Sequence, residues 1–170
     1  MTAPASGGVG ALADRLRGRV VVVGIGNPFR GDDGAGCLVA RGVRGVPGID
    51  VVESEDVPER DLFRIVGAKP DAVLLVDAVR LGAPPGSVAV LEPESLAHYA
   101  PTTHRVPLRL LARCIRDAAS ADVLVLAIQP GRTDPGTGVS PGVARSVRAV
   151  VDLIRRSRGH DPSATQAAPC

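Results

Sequence analysis

The sequence predicts a single α/β domain with a twisted, mainly parallel sheet covered by helices on both faces. Three observations lead there. Short, continuously apolar and β-branched runs recur along the chain, as expected of strands buried on both sides. Segments with helical spacing of apolar residues separate them. With 170 residues, 45% of them hydrophobic, the chain is long enough for one real core and too short to expect two.

The elements follow in order. Residues 1–18 contain Ala, Gly and Ser and read as a flexible lead-in, with no basic start followed by an apolar stretch and so no secretory signal. Arg19–Ile25 is expected as the first strand, and Gly34–Arg44 as a helix with Ala35, Leu38, Val39 and Val43 inward. Ile49–Val52 is a short second strand. Asp56–Val66 reads as a helix with Asp56 as N-cap, Pro58 in the first turn and Leu62, Ile65 and Val66 on one face. Ala72–Val76 is a buried strand ending at Asp77. A turn at Ala83-Pro84-Pro85-Gly86 precedes Ser87–Leu91, which alternates like an edge strand. Pro107–Ala119 is expected as a helix with Leu110, Leu111, Cys114 and Ile115 inward, followed by a strand at Val123–Ile128. Ser140 followed by Pro141 is a cap and N1 pair opening a last helix to about Arg156, and residues 157–170 read as a disordered tail. The folded domain is therefore expected over residues 19–156.

Composition excludes several classes of function. Aromatic residues make up 2%, so stacking on exposed bases is an unsuitable mode of action. Twenty basic and 18 acidic residues leave a net charge of +2, with the arginines scattered, which is no footprint for nucleic acid. Apolar runs are strand-sized, so no membrane span is expected. Cys37, Cys114 and Cys170 are odd in number and widely spaced, which argues against a disulfide framework or a thiolate zinc site and for a reducing cytoplasm.

In sheets of this kind ligands gather at the carboxyl ends of strands, here after Ile25, after Val76 and in the loop entering Pro107. The first of these loops, Gly24 to Gly36, holds five glycines. The dinucleotide fingerprint needs Gly where Phe29 stands. A phosphate-binding loop needs Lys then Ser or Thr after Gly31, where the chain has Asp32 and Asp33. Two carboxylates at a helix N-terminus repel phosphate, so that reading fails on charge. They suit a cation instead, with Asp32 the candidate helix cap and Asp33 facing the cleft.

Asp77 stands where a buried strand stops, and a buried carboxylate requires a cation, a metal or backbone donors. His104 lies in the polar loop Pro101-Thr102-Thr103-His104-Arg105 that enters a helix. Taken singly the two read as a turn former and a surface histidine. Together with Asp33 they offer two carboxylates and an imidazole, a donor set that accepts nickel, zinc, manganese or iron.

Several spaced motifs then carry a resemblance. Gly24-x-Gly26-Asn27 with Gly31-Asp32-Asp33-Gly34-x-Gly36, Val76-Asp77-Ala78, Pro85-Gly86, Thr102-Thr103-His104 before Pro107-Leu108, and Ile128-Gln129-Pro130 resemble the nickel–iron hydrogenase maturation endopeptidase family. The Thr-Thr-His and Ile-Gln-Pro elements look most like members serving formate-hydrogenlyase-type hydrogenases. The likeness runs in order over roughly residues 19–156.

This resemblance implies a three-layer α/β/α sandwich with a five-stranded sheet. It also implies an aspartyl-type endopeptidase that removes a C-terminal peptide from a hydrogenase large-subunit precursor after nickel insertion. Asp33, Asp77 and His104 would be the catalytic and metal-binding residues, with Gly26, Asn27, Gly31, Asp32 and Gly34 as the supporting loop. Nickel would arrive with the precursor, other divalent metals substituting, and the enzyme would act as a cytoplasmic monomer. Many relatives carry Asp-Gly-Gly or Asp-Gly-Thr after the second strand, where this chain reads Glu53-Ser54-Glu55-Asp56-Val57. That difference motivates an alternative, a non-cleaving nickel-checkpoint or chaperone protein that binds the same precursor.

Overall fold

Four consecutive valines open β1 (Val20–Ile25), and every residue of that strand is buried. Branched side chains are stiff at χ1 and pack well on a pleated surface, so the run favours a central strand. The computed structural model describes residues 9–55, 57–99 and 106–159. In it β1 joins β2 (Ile49–Ser54), β3 (Ala72–Ala78), β4 (Val88–Leu91) and β5 (Asp122–Ile128) in one sheet of order β2-β1-β3-β5-β4. The first four strands in that order are parallel, and β4 closes the edge antiparallel to β5.

Helices α1 (Val9–Arg15), α2 (Ala35–Gly42) and α5 (Pro141–Gly159) cover one face, where Leu12, Val39, Val147 and Ile154 meet Val20, Val22, Leu74 and Val76. Helices α3 (Leu62–Gly67) and α4 (Val106–Ala119) cover the other, where Ile65, Leu111 and Ile115 meet Val21, Val23, Val73 and Leu75. Alternate residues of one strand thus feed opposite cores, the period of two that a strand imposes. Each such buried aliphatic side chain contributes roughly 1.5–3 kcal/mol relative to exposure. The three-layer, five-stranded expectation is met.

The two ends differ from expectation. Val9–Arg15 is helical with Leu12 and Leu16 in the core, so the flexible lead-in gives way well before residue 18. At the other end α5 continues past Arg156 to Gly159. One buried side chain links the two ends. Arg158 donates to Leu16 O at 3.0 Å and Gly18 O at 2.8 Å, fastening the last turn of α5 to the segment behind α1. Residues 160–170 lie outside the described residues.

Smaller corrections concern registers and caps. Leu110 is 60% exposed, because the buried stripe of α4 runs through Leu108, Leu111, Ala112 and Ile115, and Leu110 falls off it. Cys114 is only half-buried. The segment before α3 opens on a 3-10 turn at Pro58–Asp61, and its expected cap, Asp56, lies outside the described residues. Strand β3 runs on through Asp77 to Ala78. No helix among the described residues is long and apolar enough to cross a membrane.

This strand order places a crevice. The chain leaves β1 for α2 on one face, whereas the helix that follows β3 and β4 lies on the other. The carboxyl ends of β1 and β3 are neighbours whose connections diverge, which is where open sheets of this kind bind ligands.

Candidate functional site

The glycines of the loop after β1 serve close packing. A Cβ on Gly36 would lie 2.2 Å from Val76 O and 2.4 Å from Ile25 O. The start of α2 therefore rests directly on the ends of β1 and β3, and only glycine permits it. Gly26 has φ +114, and a Cβ there would lie 1.9 Å from Asp33 O.

The same loop binds its own donors. Asn27 N donates to Asp33 Oδ2 at 2.9 Å, Phe29 N to Asn27 Oδ1 at 2.9 Å, and Arg30 N to Asn27 O at 3.0 Å. Gly31 N donates to Thr137 O, Asp32 N to Arg132 O and Asp33 N to Arg30 O. With these amides engaged, the loop offers no nest for a phosphate, in agreement with the charge argument.

Asp33 stands in the 3-10 turn Gly31–Gly34, which packs against β3. Its carboxylate is half-buried and anchored through Oδ2, and among the described residues Oδ1 accepts no hydrogen bond. A rigidly held carboxylate with one free oxygen can bind a cation or accept a proton.

Asp32 is not the helix cap. Gly34 occupies the N-cap of α2, and no side-chain cap bond is made there. Asp32 is fully buried and accepts four bonds from a distant loop: Gly131 N at 2.7 Å, Arg132 N at 3.0 Å, Ser140 N at 2.6 Å and Ser140 Oγ at 2.9 Å. Burial alone raises a carboxyl pKa, but these donors outweigh it and hold Asp32 below the ordinary value. The hydroxyl expected to cap α5 is thus directed to Asp32.

Asp77 is the penultimate residue of β3 and is buried, paired in register with Ala127 just past the last β1–β3 pair at Gly24 and Val76. By strand alternation it shares the side of Val73 and Leu75, the side of α3 and α4. His104 lies outside the described residues, two positions before α4 begins at Val106. The structure therefore places Asp77 at the end of β3 and Asp33 in a turn packed on that strand. Among the described residues no group of three or more His, Cys, Asp or Glu side chains is placed to hold a metal.

The acidic turn after β2 is partly structural. Glu53 belongs to β2 and pairs with Arg41 at 2.6 Å and with Arg44, both from the α2 side. Ser54 Oγ donates to Asp61 Oδ2 at 2.7 Å, and Glu55 O accepts from Gly26 N. Gln129 is a supporting residue that the sequence reading noted only as part of a motif. Buried after β5, it accepts from Leu81 N at 2.6 Å and donates to Pro130 O at 2.9 Å, fixing the loop beyond Asp77. An amide directly after the apolar run Val123–Ile128 was its signal.

Known proteins share this fold and much of this sequence. The hydrogenase maturation protease family matches residues 44–157, a span that contains Asp77 and His104 and begins after Asp33. The hydrogenase 3 maturation protease of Escherichia coli (strain K12) is 34% identical over 113 residues, 65% of this chain and 72% of that protein. A crystal structure of the NiFe hydrogenase maturation protease HycI from Thermococcus kodakarensis KOD1 is similar with a TM-score of 0.79 and 30% identity, covering 88% of this chain and 99% of that one. A crystal structure of a hydrogenase 3 maturation protease is similar with a TM-score of 0.73 and 28% identity, covering 85% and 95%.

Proposed function

The chain belongs to the hydrogenase maturation protease family and is a peptidase, and on that premise we propose that it removes a C-terminal peptide from a nickel-loaded hydrogenase large-subunit precursor, recognising the metal with Asp33, Asp77 and His104. The observation that carries this reading is Asp33, held through Oδ2 by the Asn27 amide, with Oδ1 accepting no bond among the described residues, in a turn packed on the strand that bears Asp77. In this reading His104, two positions before α4, supplies the third donor.

Two carboxylates and an imidazole suit nickel carried by the substrate. Among the described residues the thiol next to this loop is that of buried Cys37, which donates to Gly26 O at 3.2 Å. Docking through the metal brings the scissile bond to a rigid carboxylate, and positioning of this kind lowers barriers by several kcal/mol. Nickel held there would supply Lewis-acid polarisation of the carbonyl or of water. Asp33 Oδ1 is equally suited to take a proton from the attacking water. The enzyme acts in this reading as a cytoplasmic monomer.

The test is to incubate the purified chain with nickel-loaded and nickel-free precursor and follow the mobility shift on a gel. Only the loaded form is expected to shorten. Equal cleavage of both overturns metal-guided docking, and a stoichiometric complex without product overturns cleavage of this precursor.

A further inference from the structure

Both phenylalanines of the chain are exposed, Phe29 to 79% and Phe63 to 89%, and of the two it is Phe29 that stands on the loop carrying Asp33. An aromatic ring left in water forgoes its burial free energy, and one beside a candidate site can recover it against a bound partner. Phe29 lies four residues before Asp33, on the loop described above.

The backbone that displays it is fixed from both sides. Phe29 N donates to Asn27 Oδ1, and Phe29 O accepts from Gly136 N at 2.8 Å. Gly31 N donates to Thr137 O at 3.1 Å. A ring presented from such a frame loses little freedom on binding, as a preorganised anchor should.

Two cations flank the same turn. Arg30 and Arg132 are exposed, and neither forms an ion pair with a described residue. The backbone of Arg132 lies against the turn that follows Arg30, since Asp32 N donates to Arg132 O and a Cβ on Gly31 would lie 2.8 Å from that oxygen. Asp32, the buried acid between them, is saturated by the donors of the 131–140 loop. The other acids of these two loops are Asp33, held by the Asn27 amide, and the exposed Asp134. The pair of guanidinium groups is thus available for an external carboxylate.

We propose that Phe29, Arg30 and Arg132 form an anchor for the substrate peptide beside Asp33, the ring covering an apolar side chain and the two guanidinium groups holding an acidic side chain of the precursor. The proposal rests on the reading of Asp33 as part of the peptidase site. It assigns sequence preference to the β1–α2 loop, distinct from recognition of the metal.

The experiment uses the full chain, labelled with a fluorophore, and the nickel-loaded precursor. Binding is read by anisotropy and cleavage by KM and kcat. Phe29→Ala and the double variant Arg30→Gln/Arg132→Gln are each expected to raise Kd and KM about tenfold, with kcat moving less than about twofold. Phe29→Leu should recover most of the loss. Salt at about 0.5 M should weaken binding by the wild type and spare the double variant, because the screened contacts are already gone. All three side chains are exposed, so unchanged melting temperatures separate these effects from misfolding. Kd and KM within twofold of wild type in both variants would overturn the anchor while leaving cleavage standing. Expected losses in Kd with no product from any form would support the anchor and remove the catalytic reading of Asp33. A wild type that fails to bind the precursor would overturn both.

Discussion

Asp32 and Ser140, 108 residues apart in sequence, are joined twice: the Ser140 amide donates to Oδ1 at 2.6 Å and its hydroxyl to Oδ2 at 2.9 Å. This pair ties the start of α5 to the loop that carries Asp33. Together with the amides of Gly131 and Arg132 it makes a buried carboxylate the joint between the two loops flanking the site.

Removing that joint should be costly. Asp32→Ala leaves buried donors without partners, and a loss of roughly 2–4 kcal/mol is expected in urea unfolding at pH 7. The pH dependence has a definite sign. Because the folded carboxyl sits below its ordinary value, its contribution is fully present above about pH 4 and is lost as pH falls through the lower folded value. The gap between wild type and Asp32→Asn should therefore narrow below about pH 4. A gap that widens on acidification would contradict the assignment.

Gly36 tests the seating of α2. The Cβ of Gly36→Ala would meet the carbonyl oxygens of Val76 and Ile25 at 2.2 and 2.4 Å, and backbone on both sides cannot yield cheaply. A loss of about 3 kcal/mol or more is expected. Gly67 is the control. It ends α3 with nothing within 4 Å of an added Cβ, so Gly67→Ala should be neutral or stabilising by up to about 1 kcal/mol. Melting temperatures of the two variants give the comparison directly.

Much of this architecture was legible before the structure because the signal is local. Val20–Val23 and Leu74–Val76 declare buried strands by residue type alone, and the diverging connections around them locate the crevice. Asp32 was misassigned because its partners lie about a hundred residues away, and local reasoning offers an acid at a helix start only the role of cap. Leu110 was misassigned because neighbouring leucines compete for one stripe and packing decides between them. Helix α1 was missed because an Ala- and Gly-rich stretch has weak periodicity, and its contacts are distant in sequence: Leu12 packs in the core and Arg15 pairs with Asp122. Asp33 and Asp77 were legible as strand-end acids; the place of His104 lies outside the described residues.

Cys37 offers a probe of the same loop. Burial, reinforced by the negative charge of Glu53, pushes its thiol up to about 11, and the thiol donates to Gly26 O. Little thiolate exists at pH 8, so native Cys37 should resist iodoacetamide whereas the half-buried Cys114 reacts. Peptide mapping by mass spectrometry should show Cys37 labelling only at the rate of unfolding. Rapid labelling in the native state would mean that the turn over Gly26 opens readily.

The two acids are separable by substitution. Asp33→Asn keeps an oxygen to accept from the Asn27 amide, so the fold should persist with a melting temperature close to wild type. What it removes is the charge at the free oxygen, and with it a ligand or a proton acceptor. Cleavage of nickel-loaded precursor should fall about 10²–10⁴-fold. Asp33→Glu retains the charge on a longer stem and should restore part of the rate, which a purely structural role for the Asn27 bond would not produce. Asp77→Asn is nearly isosteric within β3, and its loss should be of similar size if both carboxylates face one metal. The double variant is then informative: residues that act as one unit lose no more together than either does alone. Multiplicative losses in the double variant would instead show that Asp33 and Asp77 serve separate steps.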